Sequence, residues 1–243
     1  ENPISRFSQQ LDVAARDRRV RAIVLRINSP GGTVTGSETL YNLVVRFKQQ
    51  TGKPVVAAAQ EVAASGGYMV ALPADHIMAT PTSIVGSVGV MMQLFTIEET
   101  LGMLGVKSET LKAGAFKDAG SPFRPIAGEE RAYLQQMVND YHVRFRTHVE
   151  KHRTLPSDEA SRALIFDGRV FTGEQALALG LIDSVGTLEA AIDKARELGD
   201  APRAKAVMYI RPYRCGLNCP RRSRRWRRDF TISGGLNAAG GAR

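Results

Sequence analysis

Cysteine is almost missing from this chain: only Cys215 and Cys219 occur, both close to its C-terminal end. A lone C-x3-C pair lacks the second ligand pair of a zinc site, and it says little about redox compartment. Histidine is scarce too, limited to His76, His142, His148 and His152. Long apolar runs are absent: nothing approaches the ~18 uncharged residues of a membrane-spanning helix. The charge-free stretch from Val62 to Ala74 is broken by glycine and proline. Disorder, coiled coil and collagen are excluded by 43% hydrophobic and 23% charged residues, with only 23 glycines and 11 prolines in 243 residues. A globular body with a sizeable core remains.

The net charge of +9 is unevenly distributed. Residues 201–243 hold eleven basic residues against the single acid Asp229, so the first 200 residues are close to neutral. We expect a folded unit over residues 1–212 and a basic, structureless tail over 213–243 that contains Trp226 and the run Arg221-Arg222-Ser223-Arg224-Arg225. The chain opens on Glu1 without the charged and apolar regions of a signal peptide, and is expected to be a fragment.

Short apolar segments alternate with helical patterns, the mark of an α/β fold with parallel strands. Ala22–Ile27, Val55–Ala59 and Ile77–Ala79 read as strands, and extended segments are expected over Val88–Phe95 and Val106–Leu111. Helices are predicted over Ser37–Gln50, from Ser65 onward, and over Glu98–Leu104. The second half is helical. Glu129–His152 carries Tyr133, Met137, Tyr141 and Phe145 at intervals of four, and a further helix spans Thr187–Leu198. Between them Thr172 and Gln175 form a capping box, and Gly180 a stop.

Three segments hold more glycine and serine than packing needs. Asn28-Ser29-Pro30-Gly31-Gly32 follows a strand, and its glycines can bring backbone N–H groups close to a ligand, as an oxyanion hole requires. It lacks a phosphate-loop signature, and an ordinary tight turn is the bland reading. In Ala63-Ala64-Ser65-Gly66-Gly67-Tyr68, a serine ends a strand and opens a helix. That places a hydroxyl where the helix N-terminus favours negative charge, with a helix-capping serine as the plain alternative. In Lys112 to Pro122, Lys117 or Lys112 offers an amine that burial could leave uncharged and able to accept the serine proton. Exposed lysines are the alternative. His76 sits at a strand entry, while His148 and His152 are spaced for a metal but lack a third ligand. No metal and no cofactor is expected.

With these blocks in order, the sequence closely resembles the signal peptide peptidase A (protease IV) family of Ser–Lys peptidases. The likeness runs through Asn28–Gly32, Ala64–Tyr68, Ala74–Ile77, Gly86–Val90, Phe116–Asp118 with Ser121–Arg124, and Phe171–Gly173 to Gly180–Asp183. The resemblance implies a ClpP/crotonase-like spiral of βαβ units with additional C-terminal helices. It implies Ser65 as nucleophile, Lys117 as general base, Ser87 as the hydroxyl orienting the lysine, and Gly31, Gly32 and Gly66 as the oxyanion hole. It also implies peptide substrates, released signal peptides among them, and a homo-oligomer at the bacterial cell membrane. The anchor would lie in a segment not present here, with the peptidase on the extracytoplasmic side. A phage-type capsid assembly protease shares this fold, as do acyl-CoA enzymes that commonly use carboxylates. Outside the resemblance, the basic tail could serve a catalytically silent scaffold by binding anions, although nucleic acid is not an expected partner.

Overall fold

A computed structural model describes residues 2–210 and 227–229. The chain begins with helix α1 (Pro3–Arg16), capped by the Asn2 side chain, and enters strand β1 (Ile23–Ser29). Helix α2 (Val34–Thr51) starts where the Thr33 hydroxyl accepts the Gly36 N–H and stops at Gly52, whose φ of 64° is left-handed. It crosses to strand β2 (Val55–Ala64), which pairs parallel with β1.

Strand β2 organises everything else. Its run Val55-Val56-Ala57-Ala58-Ala59 is buried on both sides, as a central parallel strand must be. The two-residue period sends Val55, Ala57 and Ala59 into the main core with Tyr41, Val44 and Phe47 of α2. Val56 and Ala58 face the opposite layer, against Ala191 and Ala195 of helix α8 (Leu188–Leu198). Along its first half β2 is flanked by β3 (His76–Ala79), and along its second half by β4 (Ile84–Gly86), both parallel. One long strand with successive partners curls the sheet. β1 follows the curl through an irregularity between Ile27 and Ser29.

After Val88, which is still part of the main core, the chain leaves it. Residues 88–95 and 106–111, expected as strands, pair with nothing among the described residues. Helix α4 (Glu98–Met103) between them buries no side chain. Helix α5 (Gly128–His152) returns, but only Glu130, Phe145 and Val149 are buried along it. The four-residue spacing that includes Tyr133 and Tyr141 does not mark a buried face, since both remain exposed. Helix α6 (Glu159–Ile165), strand β5 (Val170–Thr172, antiparallel to β4), helix α7 (Gly173–Ala178), strand β6 (Ser184–Val185) and α8 then close the fold. The Thr172–Gln175 capping box is present as expected.

The sheet order β5-β4-β2-β3-β6, with β1 on β2, forms the expected α/β spiral with added C-terminal helices. Strand β7 (Met208–Ile210) pairs with β8 (Arg227–Asp229). The Tyr209 carbonyl accepts from Gln10, and its hydroxyl donates to Asp17, tying β7 to α1. Of the tail expected to be structureless over 213–243, only Arg227–Asp229 is described, as strand β8; Cys215, Cys219, Trp226 and the remainder lie outside the described residues.

The end of α5 docks on α2 through histidines. Tyr41 Oη is 2.7 Å from His152 Nε2, and its ring lies 4.3 Å from that of His148. Burial, reinforced by the nearby charges of Lys151 and Lys48, pulls His152 down to about 4. An unfolded chain takes up this proton near pH 6.5, whereas the folded chain resists it until near pH 4. Stability is therefore fully present above the unfolded value and is lost as pH falls between the two. Urea unfolding should show that decline, and His152→Gln should flatten it; equal slopes for both proteins would contradict the assignment.

Candidate active site

The C-terminal end of β2 is where β1, β4, α2 and helix α3 (Gly66–Ala71) converge, the end at which open parallel sheets place their ligands. Ser65 occupies the turn between β2 and α3 with φ 51° and ψ −122°, a conformation that costs an L-residue roughly 1–3 kcal/mol. Two backbone bonds hold it there: its N–H donates to the Gly86 carbonyl at 2.7 Å, and its carbonyl accepts the Met69 N–H at 3.0 Å. The helix-capping alternative fails, because the Ser65 hydroxyl caps no N–H of α3. It has no hydrogen-bond partner among the described residues, and its side chain stands partly open.

The glycines permit the approach. A Cβ on Gly31, whose φ is +124°, would lie 2.9 Å from Ser65 Cβ and 3.1 Å from its Oγ. A Cβ on Gly66 would strike the Ser37 side chain, and one on Gly67 the Ser29 carbonyl at 2.7 Å. Bare backbone on both sides lets α3 and the β1–α2 turn close around the serine. The N–H of Gly31 donates to Ser29 Oγ at 3.2 Å, while those of Gly32 and Gly66 have no acceptor among the described residues. A Cβ on Gly66 would sit 3.3 Å from Gly32 N, so these two donors belong to one small space.

Ser87 lies beside this turn. The register pairs Ala64 with Gly86, so Ser65 and Ser87 follow directly from matched positions on neighbouring strands. Ser87 also has a positive φ, 54°, and its N–H donates to the Arg169 carbonyl. Histidine is not at hand. His76 pairs with Val56, nine residues down β2 from Ser65 or about 30 Å of strand, and bonds Ser184 instead. His148 and His152 are engaged with Tyr41.

The two lysines separate clearly. Lys112 Nζ is occupied by the Asp118 carboxylate and the Ala115 carbonyl. Lys117 is exposed in the turn closed by its own N–H to the Gly114 carbonyl, and its amine has no partner among the described residues. Among the described residues no hydrogen bond joins it to Ser65 or Ser87. The structure thus gathers Ser65, Ser87, Gly31, Gly32 and Gly66, and places Lys117 on the arm that follows β4. Two supporting groups escape a reading of motifs: the Ser29 hydroxyl that fixes Gly31, and Asn28 Oδ1, which accepts the Val62 N–H at 3.2 Å. The signal for the first was present, since a serine two residues before a glycine is a turn former.

No cluster of His, Cys, Asp and Glu suited to a metal occurs among the described residues. No helix there is long and apolar enough to cross a membrane. The model of peptidase family S49 matches residues 47–201. A candidate protease of Methanocaldococcus jannaschii is 42% identical over 199 residues, 82% of this chain and 63% of that protein. Protease 4 of Salmonella typhi is 36% identical over 191 residues, 79% of this chain but 30% of its own. A candidate signal peptide peptidase SppA of Enterococcus faecium is 34% identical, covering 80% of this chain and 57% of that one. The chain therefore spans from under one third to under two thirds of these relatives.

Strain at the central serine is measurable independently of activity. Ser65→Gly should raise stability by about 1 kcal/mol in urea unfolding, because glycine adopts this backbone freely. A loss of stability would show that the turn is relaxed.

Proposed function

The chain belongs to peptidase family S49, and on that premise we propose that it is a serine endopeptidase with Ser65 as nucleophile and Lys117 as general base. The observation that carries this reading is the Ser65 hydroxyl, uncapped at a positive φ, beside the free N–H groups of Gly32 and Gly66. A group held in a strained turn with no structural task of its own is a candidate for chemistry.

In this mechanism uncharged Lys117 takes the Ser65 proton as Oγ attacks a peptide carbonyl. The oxyanion forms against the Gly66 N–H and the Gly31–Gly32 turn, where Gly32 supplies the donor without an internal acceptor and Gly31 the bare surface. Such preorganised donors are typically worth about 3 kcal/mol each. Lys117 then passes its proton to the leaving amine, and water, deprotonated in turn by the lysine, hydrolyses the acyl-enzyme. Ser87, level with Ser65 at the end of the neighbouring strand, orients the amine.

Lys117 reaches a serine only when its arm is seated. The arm exposes Met91, Phe95, Met103, Leu104, Leu111 and Phe116, several of them by more than 60%, and apolar surface of that extent calls for a cover. A homo-oligomer meets both needs, since packing the arms against one another buries this surface and seats Lys117. The substrates we propose are released signal peptides, degraded at the extracytoplasmic face of the bacterial cell membrane by a folded unit spanning residues 1–212.

Cleavage of an internally quenched synthetic signal peptide tests the reading. Ser65→Ala should abolish turnover and Lys117→Ala should lower kcat about 100- to 10,000-fold, both with unchanged melting. Wild-type rates from either variant would overturn the assignment.

A further inference from the structure

The turn that carries Lys117 receives no shape from the core. From Met91 to Lys117 no residue is buried. Its form comes instead from a polar cluster. Three successive backbone bonds fold it, Lys117 N–H to Gly114, Ala119 N–H to Phe116 and Ser121 N–H to Asp118, at 3.0–3.1 Å. Arg124 then fastens the folded turn to the start of α5. Its Nε donates to Asp118 Oδ2 at 2.8 Å, and its Nη2 to the Asp118 carbonyl at 3.3 Å. On the other side the same guanidinium grips both oxygens of Glu130, with Nη1 to Oε2 at 2.9 Å. Nη1 also donates to the Pro125 carbonyl at 3.1 Å.

Each end of this clamp is anchored. Glu130 is 6% exposed in the first turn of α5, accepts the Ala127 N–H at 3.2 Å, and belongs to a helix whose far end is rooted in the core by Phe145 and Val149. Asp118 is the residue next to Lys117, and its second carboxylate oxygen takes the Lys112 ammonium. The hydrogen bonds from Arg124, ahead of that from Lys112, hold the Asp118 carboxyl well below the usual carboxylate range, so the pairing persists across all working pH. A planar fork that holds both the backbone and the side chain of residue 118 fixes the position of the preceding Cα. A lysine ammonium in place of Arg124 could not make this set of bonds.

We propose that Arg124 is a positioning residue for catalysis, setting where Lys117 presents its amine by clamping Asp118 to Glu130. The inference rests on the reading of Lys117 as general base. Lys112 serves the same clamp from its other side, which accounts for a second lysine so close to the base.

The test uses the full-length chain and the quenched synthetic signal peptide, with kcat and KM measured separately for wild type, Lys117→Ala, Arg124→Lys, Arg124→Ala and Asp118→Asn. Misplacing a catalytic group by about 1 Å costs on the order of 100-fold, so Arg124→Lys and Asp118→Asn should each lose about that much in kcat, with KM near wild type. Asp118→Asn leaves the Arg124–Glu130 pair at the start of α5 in place, which guards against a folding defect. Added guanidinium should restore part of the kcat of Arg124→Ala but none of that of Lys117→Ala. Wild-type kcat in Arg124→Lys and Asp118→Asn, alongside an inactive Lys117→Ala, would overturn the clamp alone. A fully active Lys117→Ala would instead remove the general base on which the clamp depends.

Discussion

The hydrogen bond from the Ser65 N–H to the Gly86 carbonyl is the point on which this architecture turns. It joins the ends of β2 and β4 at the moment both strands stop, and it forces the chain at residue 65 out of the ordinary backbone regions. Everything around it is arranged to tolerate that geometry. The β1–α2 turn brings Gly31 against the serine, α3 begins with two glycines, and Ser29 and Asn28 hold the turn in place. The consequence is a partly open hydroxyl that caps no helix, with two backbone donors alongside. A capped or relaxed serine would have none of that chemistry.

The described chain is built in two physical regimes. The body is an apolar spiral in which β2 is buried on both faces, and its rigidity fixes the serine and its donors. The arm after β4 has no core of its own, and charge-assisted hydrogen bonds hold its critical turn while large apolar side chains stand exposed. Such a division suits a site assembled from a fixed half and a docked half. On the proposed mechanism, the surroundings of Ser65 need only the fold, whereas Lys117 needs the arm to be seated.

Much of this was legible in the sequence, and the failures have a common cause. The first half of strand β2 was visible because Val55–Ala59, covered on both faces, is apolar at every position, and β1 was visible through its apolar run despite the exposed Arg26. Helix α7 announced itself through the Thr172–Gln175 capping box and Gly180, and α8 through its span, whereas α2 was read from Ser37 because the Thr33 cap four residues earlier went unread. The glycine-serine turns around residues 31 and 65 stood out because no packing need explains them. The extended segments expected over 88–95 and 106–111 are apolar without being strands. Val88 enters the main core, but from Met91 on these side chains stand exposed, and composition alone does not distinguish an exposed apolar segment from a core strand. The same confusion makes the face of α5 with Tyr133 and Tyr141 look buried. Strands β4, β5 and β6 are two or three residues long, below the span at which alternation can be read. Helix α1 also passed unread, although Ile4, Phe7, Leu11 and Ala14 recur at helical spacing along it. The Arg124 clamp was not read from the sequence: Asp118, Arg124 and Glu130 are six residues apart, a spacing that matches neither the helix nor the strand period, and they meet only because a turn and a helix start are adjacent in space.

Trapping the nucleophile addresses the account most directly. The protein is treated with a serine-reactive fluorophosphonate until peptide hydrolysis stops, then digested, and the modified residue is identified by tandem mass spectrometry. The account predicts one phosphonylated residue, Ser65, with labelling kinetics that follow the loss of activity. A label on any other serine that tracks inactivation, or hydrolysis that continues with Ser65 fully modified, would contradict it.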